Sequence, residues 1–115
     1  MESTFKLRLR VLRGESIALG PGKVALLEGI EQTGTIAEAA RLLNMSYTRA
    51  WNLVRTMNAC FRQPLVEAVR GGTNRGHAAL TETGRTVLAL YHRMEEDGRR
   101  AAEPAWQELC RQLAE

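Results

Sequence analysis

At 115 residues the chain has the size of one domain, and its 44% hydrophobic and 25% charged residues are ordinary for a globular fold. No run reaches the ~18 apolar residues of a membrane span, and the N-terminus alternates charge with apolar residues and so lacks a signal-peptide core; the expected compartment is the cytoplasm. Cys60 and Cys110 lack the spacing of a zinc site or a disulfide framework.

The formal charge of +3 is uninformative until it is divided along the chain. Residues 1–40 carry five basic and five acidic groups, and residues 76–115 carry five and seven. Between them, residues 41–75 set Arg41, Arg49, Arg55, Arg62, Arg70 and Arg75 against Glu67 alone, a net +5. Such a patch attracts polyanions, because neutralising phosphates releases condensed counterions. A solvated arginine-rich face with no partner fits the composition equally well.

From Phe5 to Val11, apolar and basic residues alternate, which predicts a half-buried strand. Gly14-Glu15-Ser16 turns the chain and Ile17–Leu19 returns as a short second strand. Gly20-Pro21-Gly22 is a break. A helix follows from about Lys23 to Thr33, with Val24, Leu27 and Ile30 on one face and Gly34 just past its end. Thr35 opens a second helix with Glu38 as its reciprocal capping-box partner. Ile36, Ala39, Ala40 and Leu43 line its inner side.

That helix stops at Asn44, and Ser46 is an N-cap for the next. The short Asn44-Met45-Ser46 link has the length of a helix-turn-helix connection. The third helix runs from Tyr47 to about Phe61, with Ala50, Leu53, Val54 and Met57 inward. Its opposite arc (Thr48, Arg49, Trp51, Asn52, Arg55, Thr56) is polar and cationic with no acid. A helix meant only for solvent usually mixes signs for i,i+4 pairing.

After Pro64, Leu65–Arg70 reads as a strand, residues 71–76 as a basic turn, and Ala78–Leu80 as the partner strand. A hairpin placed directly after such a helix is a wing. Thr81 caps a further helix carrying Val87, Leu90, Tyr91 and Met94. Gly98 and Pro104 are expected to interrupt it. Beyond them Ala105, Trp106, Leu109, Cys110 and Leu113 resume the apolar stripe. This surplus apolar surface predicts a two-fold homodimer through Val87, Leu90, Tyr91, Met94, Trp106, Leu109 and Leu113, the alternative being that the stripe folds back on its own domain.

The expected fold is mainly α with a small β component, a winged helix-turn-helix with long C-terminal dimerisation helices. Residues 1–84 form the DNA-binding domain and residues 85–115 the dimerisation extension, together one compact unit. Gly34-Thr35-Ile36, Ala39-Ala40, Met45-Ser46-Tyr47, Ala50-Trp51, Met57-Asn58, Leu65-Val66-Glu67, Gly71-Gly72 and Leu80-Thr81-Glu82-Thr83-Gly84 carry a closer likeness. Over roughly residues 5–95 the chain resembles the N-terminal domain of the molybdate-responsive regulator (ModE) family, and more distantly the LysR-type DNA-binding domain. The Ser46-Tyr47 to Ala50-Trp51 string is the most specific part.

The resemblance implies a homodimer on a palindromic operator, with Tyr47, Thr48, Trp51 and Asn52 in the recognition helix. The wing departs from the family's run of glycines, reading Thr73-Asn74-Arg75-Gly76-His77. The family's molybdate-binding domains are not in this sequence, so molybdate sensing is not expected of these residues. Regulation would then come from chain abundance or from a separate effector-sensing partner.

The full set of residues expected on double-stranded DNA is Ser46, Tyr47, Thr48, Arg49, Trp51, Asn52, Arg55 and Thr56, with Arg70, Thr73, Asn74 and Arg75 of the wing. No metal, cofactor or catalytic set is expected. His77 and His92 have no matching ligands, Ser16 and Ser46 no His–acid partners, and the glycine turn no Lys-Ser/Thr ending. The competing readings are a winged-helix protein-interaction module and a small-oxyanion sensor subunit. The first calls for apolar anchors on the third helix, where Trp51 is the one residue that fits. The second calls for a concave polar pocket.

Overall fold

A computed structural model describes residues 1–68 and 76–114. The elements run β1 (Val11–Arg13), β2 (Ser16–Leu19), α1 (Pro21–Thr33), α2 (Ile36–Leu42), α3 (Tyr47–Cys60), β3 (Val66–Ala68), β4 (Ala78–Leu80) and α4 (Glu82–Cys110). The fold is therefore mainly helical, with two small antiparallel hairpins, β1–β2 and β3–β4.

Helix α1 begins inside the expected break. Pro21 occupies its first turn, where the missing amide costs nothing, and Gly34 ends it at φ 80°. Helix α2 is capped by the Thr35 hydroxyl, which accepts from the Glu38 amide at 2.9 Å. The reciprocal half of the expected capping box does not form. Glu38 instead holds Arg41 at 2.8 Å, and the Thr35 amide turns to the Thr33 hydroxyl. A charged guanidinium one turn ahead, donating twice to one carboxylate oxygen, outcompetes a neutral amide.

The core is assembled from one face of each helix: Leu26, Leu27 and Ile30 from α1, Ala39 and Ala40 from α2, Val54 and Met57 from α3, Leu88 and Tyr91 from α4. Leu65, Val66, Ala78 and Leu80 close it from the wing side. Small residues let α1 and α2 approach closely: a Cβ on Gly29 would stand 3.1 Å from that of Ala39.

Two further expectations fail. The N-terminal strand does not extend over Phe5–Val11; only Val11–Arg13 pairs. The period-2 pattern is real but serves another purpose. Residues 5–9 lie along α4, with Phe5 against Trp106 at 5.2 Å between ring centroids. Leu7 faces Gly98, and the Tyr91 hydroxyl donates to the Leu9 carbonyl at 2.8 Å. Alternate residues of an extended segment meet a helix as readily as a sheet.

The second failure is the predicted interruption at Gly98 and Pro104. Both lie inside one continuous α4 of 29 residues, about 43 Å long at 1.5 Å per residue. Proline there removes an amide and costs about 3 kcal/mol relative to alanine. Opposing that cost are alanines at 101, 102 and 105 and a ladder of side-chain pairs: Arg93–Asp97, Glu96 with Arg99 and Arg100, and Glu103–Gln107. The 84/85 boundary falls within this helix, whose first turns carry Leu88 and Tyr91 into the core.

Candidate nucleic-acid interface

The turn between α2 and α3 is built by backbone chemistry. Asn44 sits in the left-handed region at φ 54°, which asparagine tolerates better than other side chains. Its amide donates to the Arg41 carbonyl and the Met45 amide to that of Ala40, the paired closure of a Schellman motif. Ser46 then caps α3, its hydroxyl oxygen accepting from the Arg49 amide at 3.0 Å. Together these fix the angle at which α3 leaves α2.

The inner face of α3 matches expectation: Ala50, Val54 and Met57 are buried and Leu53 half-buried. Ser46, Tyr47, Thr48, Arg49, Trp51, Asn52, Arg55 and Thr56 are all exposed on one surface. They differ in what they have free to offer. The Thr56 hydroxyl donates to the Asn52 carbonyl at 2.9 Å, so its proton is already used within the helix. Tyr47 and Trp51 expose 49% and 41% of their surface, leaving two aromatic faces among cations.

Every ion pair among the described residues lies on α2, on α4, or between α4 and α1. The hydrogen bond from Arg41 holds the Glu38 carboxyl below its usual range, so that arginine is neutralised. Arg49 and Arg55 have no such partner among the described residues.

Residues missed in the sequence lie beside α3. The β1–β2 hairpin packs against it, so Arg13 and Ser16 share an open hollow with Asn52, Arg55 and Thr56. Arg10 and Lys23 share another with Arg49. The alternation of residues 5–11 places Arg10 on the solvent face of a strand, Arg13 lies beyond that pattern, and nothing in the spacing carries either to a distant helix. Asn58 was missed as well. Its amide oxygen accepts from the Leu65 and Val66 amides at 2.8 and 3.2 Å, and its nitrogen donates to the Val66 carbonyl at 3.0 Å. This side chain fastens the end of α3 to the wing strand.

The wing strands pair in register, Val66↔Leu80, Glu67↔Ala79 and Ala68↔Ala78. The Ala78 amide ties β4 to the Gly34 carbonyl at 2.9 Å. The expected contacts Arg70, Thr73, Asn74 and Arg75 lie outside the described residues. Of the residues expected at a dimer interface, Leu90, Met94, Leu109 and Leu113 are exposed. Val87 packs on the core, and Trp106 is half-covered by Phe5. Tyr91 departs from expectation. It is buried in its own chain, because its ring fills the core and its phenol is spent on Leu9.

The fold and site define a winged helix-turn-helix domain. A family model for bacterial regulatory helix-turn-helix proteins of the lysR family matches residues 22–85, and the chain belongs to that family. It is 42% identical to the molybdenum-pterin-binding protein MopA of Rhodobacter capsulatus, over 76% of this chain and 33% of that one. Its identity to the molybdenum transport protein ModE of Azotobacter vinelandii is 37%, over 79% and 34% of the two chains. With the transcriptional regulator ModE of Yersinia pestis it is 39%, over 76% and 31%. The chain thus spans about a third of the length of these relatives. Among solved structures, the DNA-binding domain of CbnR, crystallised with DNA, superposes with a TM-score of 0.59. The match covers 76% of this chain and 95% of that one at 19% identity, a likeness of fold.

Proposed function

We propose that the chain is a DNA-binding transcription regulator that inserts α3 into the major groove and binds a palindromic operator as a homodimer. The observation that carries this reading is the outer surface of α3: exposed, cationic, lined with groups that read base edges, and free of carboxylates. Asn52 and Arg55 suit bidentate readout of adenine and guanine. Arg49 and the Ser46 hydroxyl suit phosphates. Tyr47 and Trp51 offer apolar contact to thymine methyl groups. The wing residues Arg70, Thr73, Asn74 and Arg75 complete the reading as backbone contacts.

The dimer is supported by the exposed side chains of Leu90, Met94, Leu109 and Leu113 on and just beyond a helix that outruns its own core. Two copies joined there would present their α3 helices to successive major grooves, ~34 Å apart. The relatives named as transcriptional regulators support the DNA-binding part of this reading. Asn52→Ala tests the proposal. It should cost ~1–3 kcal/mol of affinity and relax preference at a defined base position. Binding as tight and as selective as the parent chain's would refute the docking.

A further inference from the structure

We propose that the β1–β2 hairpin is a third DNA-contacting element, with Arg13 holding a backbone phosphate beside the second half of α3. This rests on the reading of α3 as the recognition helix. Arg13 lines two adjoining hollows. One is shared with Ser16, Asn52 and Arg55, and the other with Arg62 beyond the end of α3. Three guanidinium-bearing residues from three segments therefore surround one stretch of surface. No carboxylate is among the described residues that line either hollow.

Like charges gathered this way repel, and among the described residues none of the three is relieved by an ion pair. Arg93, Arg99 and Arg100 of α4 have their acids at i,i+3 or i,i+4. Three arginines of α4 are thus neutralised by carboxylates, while Arg13, Arg55 and Arg62 have none among the described residues. A bare convergent cluster is stabilised by an external polyanion.

Helix geometry says where that polyanion runs. Helix α3 has 14 residues, about 21 Å at 1.5 Å per residue, while the major groove is about 12 Å wide. A helix entering by its first turns therefore leaves its second half level with the phosphates that border the groove. Arg13 and Arg62, beside the end of α3, stand at that level.

The hairpin is shaped to hold Arg13 there. Gly14, at φ 61°, closes a tight loop between the paired residues Arg13 and Ser16. The register slips between Val11 and Leu12, leaving Ala18 unpaired and increasing the local twist. Ala18 and Leu19 are buried, which anchors the strand, while Arg13 and Ser16 remain exposed at the tip. A serine hydroxyl beside an arginine is a common pair of phosphate donors.

The test measures binding of the intact chain, Arg13→Ala, Arg13→Lys and Asn52→Ala to a selected site and to a mixed-sequence duplex, from 50 to 200 mM salt. Loss of one phosphate contact should lower the salt slope by ~0.9, so the affinity advantage of the parent chain over Arg13→Ala should shrink about 3.5-fold across that range. Both duplexes should weaken alike, and Arg13→Lys should keep the slope. Far-UV circular dichroism should show Arg13→Ala folded, since the residue is exposed. An unchanged slope and affinity for Arg13→Ala, with Asn52→Ala still relaxing base preference, overturns the hairpin contact while leaving the recognition helix in place. A loss confined to one base position also overturns it. Failure of the intact chain to bind either duplex refutes both.

Discussion

Replacing Gly84 by alanine puts a methyl group where the structure has none to spare. A Cβ built on Gly84 stands 2.1 Å from the Leu65 carbonyl oxygen and 3.0 Å from its carbon. Ordinary van der Waals contact begins near 3.4 Å, so the segment or the helix must retreat by more than an ångström. The obstructing atom is backbone and has no rotamer to change. It also accepts from the Thr81 amide at 2.9 Å, while the Thr81 hydroxyl caps the Gly84 amide and donates to the Pro64 carbonyl. Overpacking of this kind costs about 1–3 kcal/mol, and a disrupted hydrogen bond adds about 1 kcal/mol. Alanine's better helix propensity returns at most about 1 kcal/mol. The net expectation is a loss of about 1–3 kcal/mol. Urea unfolding followed by Trp51 and Trp106 fluorescence measures it. Gly22→Ala is the control, since nothing lies within 4 Å of its added Cβ, and it should be neutral or stabilising by up to about 1 kcal/mol. Equal or greater stability for Gly84→Ala would refute the close packing of α4 on Leu65.

Asn58→Ala should leave the Leu65 and Val66 amides without their partner. The expected cost is about 1–3 kcal/mol, and amide exchange at both positions should quicken; unchanged protection would remove the clamp. Pro104→Ala should raise stability by up to about 3 kcal/mol, with added helical signal, whereas a loss would mean that the proline has a packing role. His92 bridges Glu95 at 2.8 Å and Glu28 at 3.3 Å, and chiefly the Glu95 hydrogen bond raises its pKa above the ordinary 6.5. Its contribution is therefore full below pH 6.5 and lost as pH rises through the higher folded value. His92→Gln should flatten the stability profile across that window, and an unchanged profile would contradict the bridge between α1 and α4.

Much of the helix-turn-helix was legible because its signals are local. Thr35, Ser46 and Thr81 cap the helices that the sequence assigns to them, and the inner face of α3 follows from a 3.6-residue period. What escaped was decided by contacts across the chain. Phe5, Leu7 and Leu9 alternate like a strand, yet their partner is a helix about ninety residues away. Pro104 reads as a helix breaker by its own chemistry, and only the side-chain ladder and Phe5 on Trp106 show why the helix continues. Arg13 and Asn58 carry no periodic signal; their placement depends on where β1, β2 and β3 dock. Tyr91 shares its spacing with the exposed Leu90 and Met94, and only the fold separates the buried ring from the exposed pair.

The claim that the outer face of α3 reads DNA sequence is tested most directly by selecting bound duplexes from a random pool with the intact chain, then repeating the selection with Asn52→Ala. The account predicts one inverted repeat with half-sites about one helical turn apart, and lost preference at matching positions of both half-sites with the variant. Recovery of no enriched sequence, or of the same sequence with undiminished preference for the variant, would contradict it.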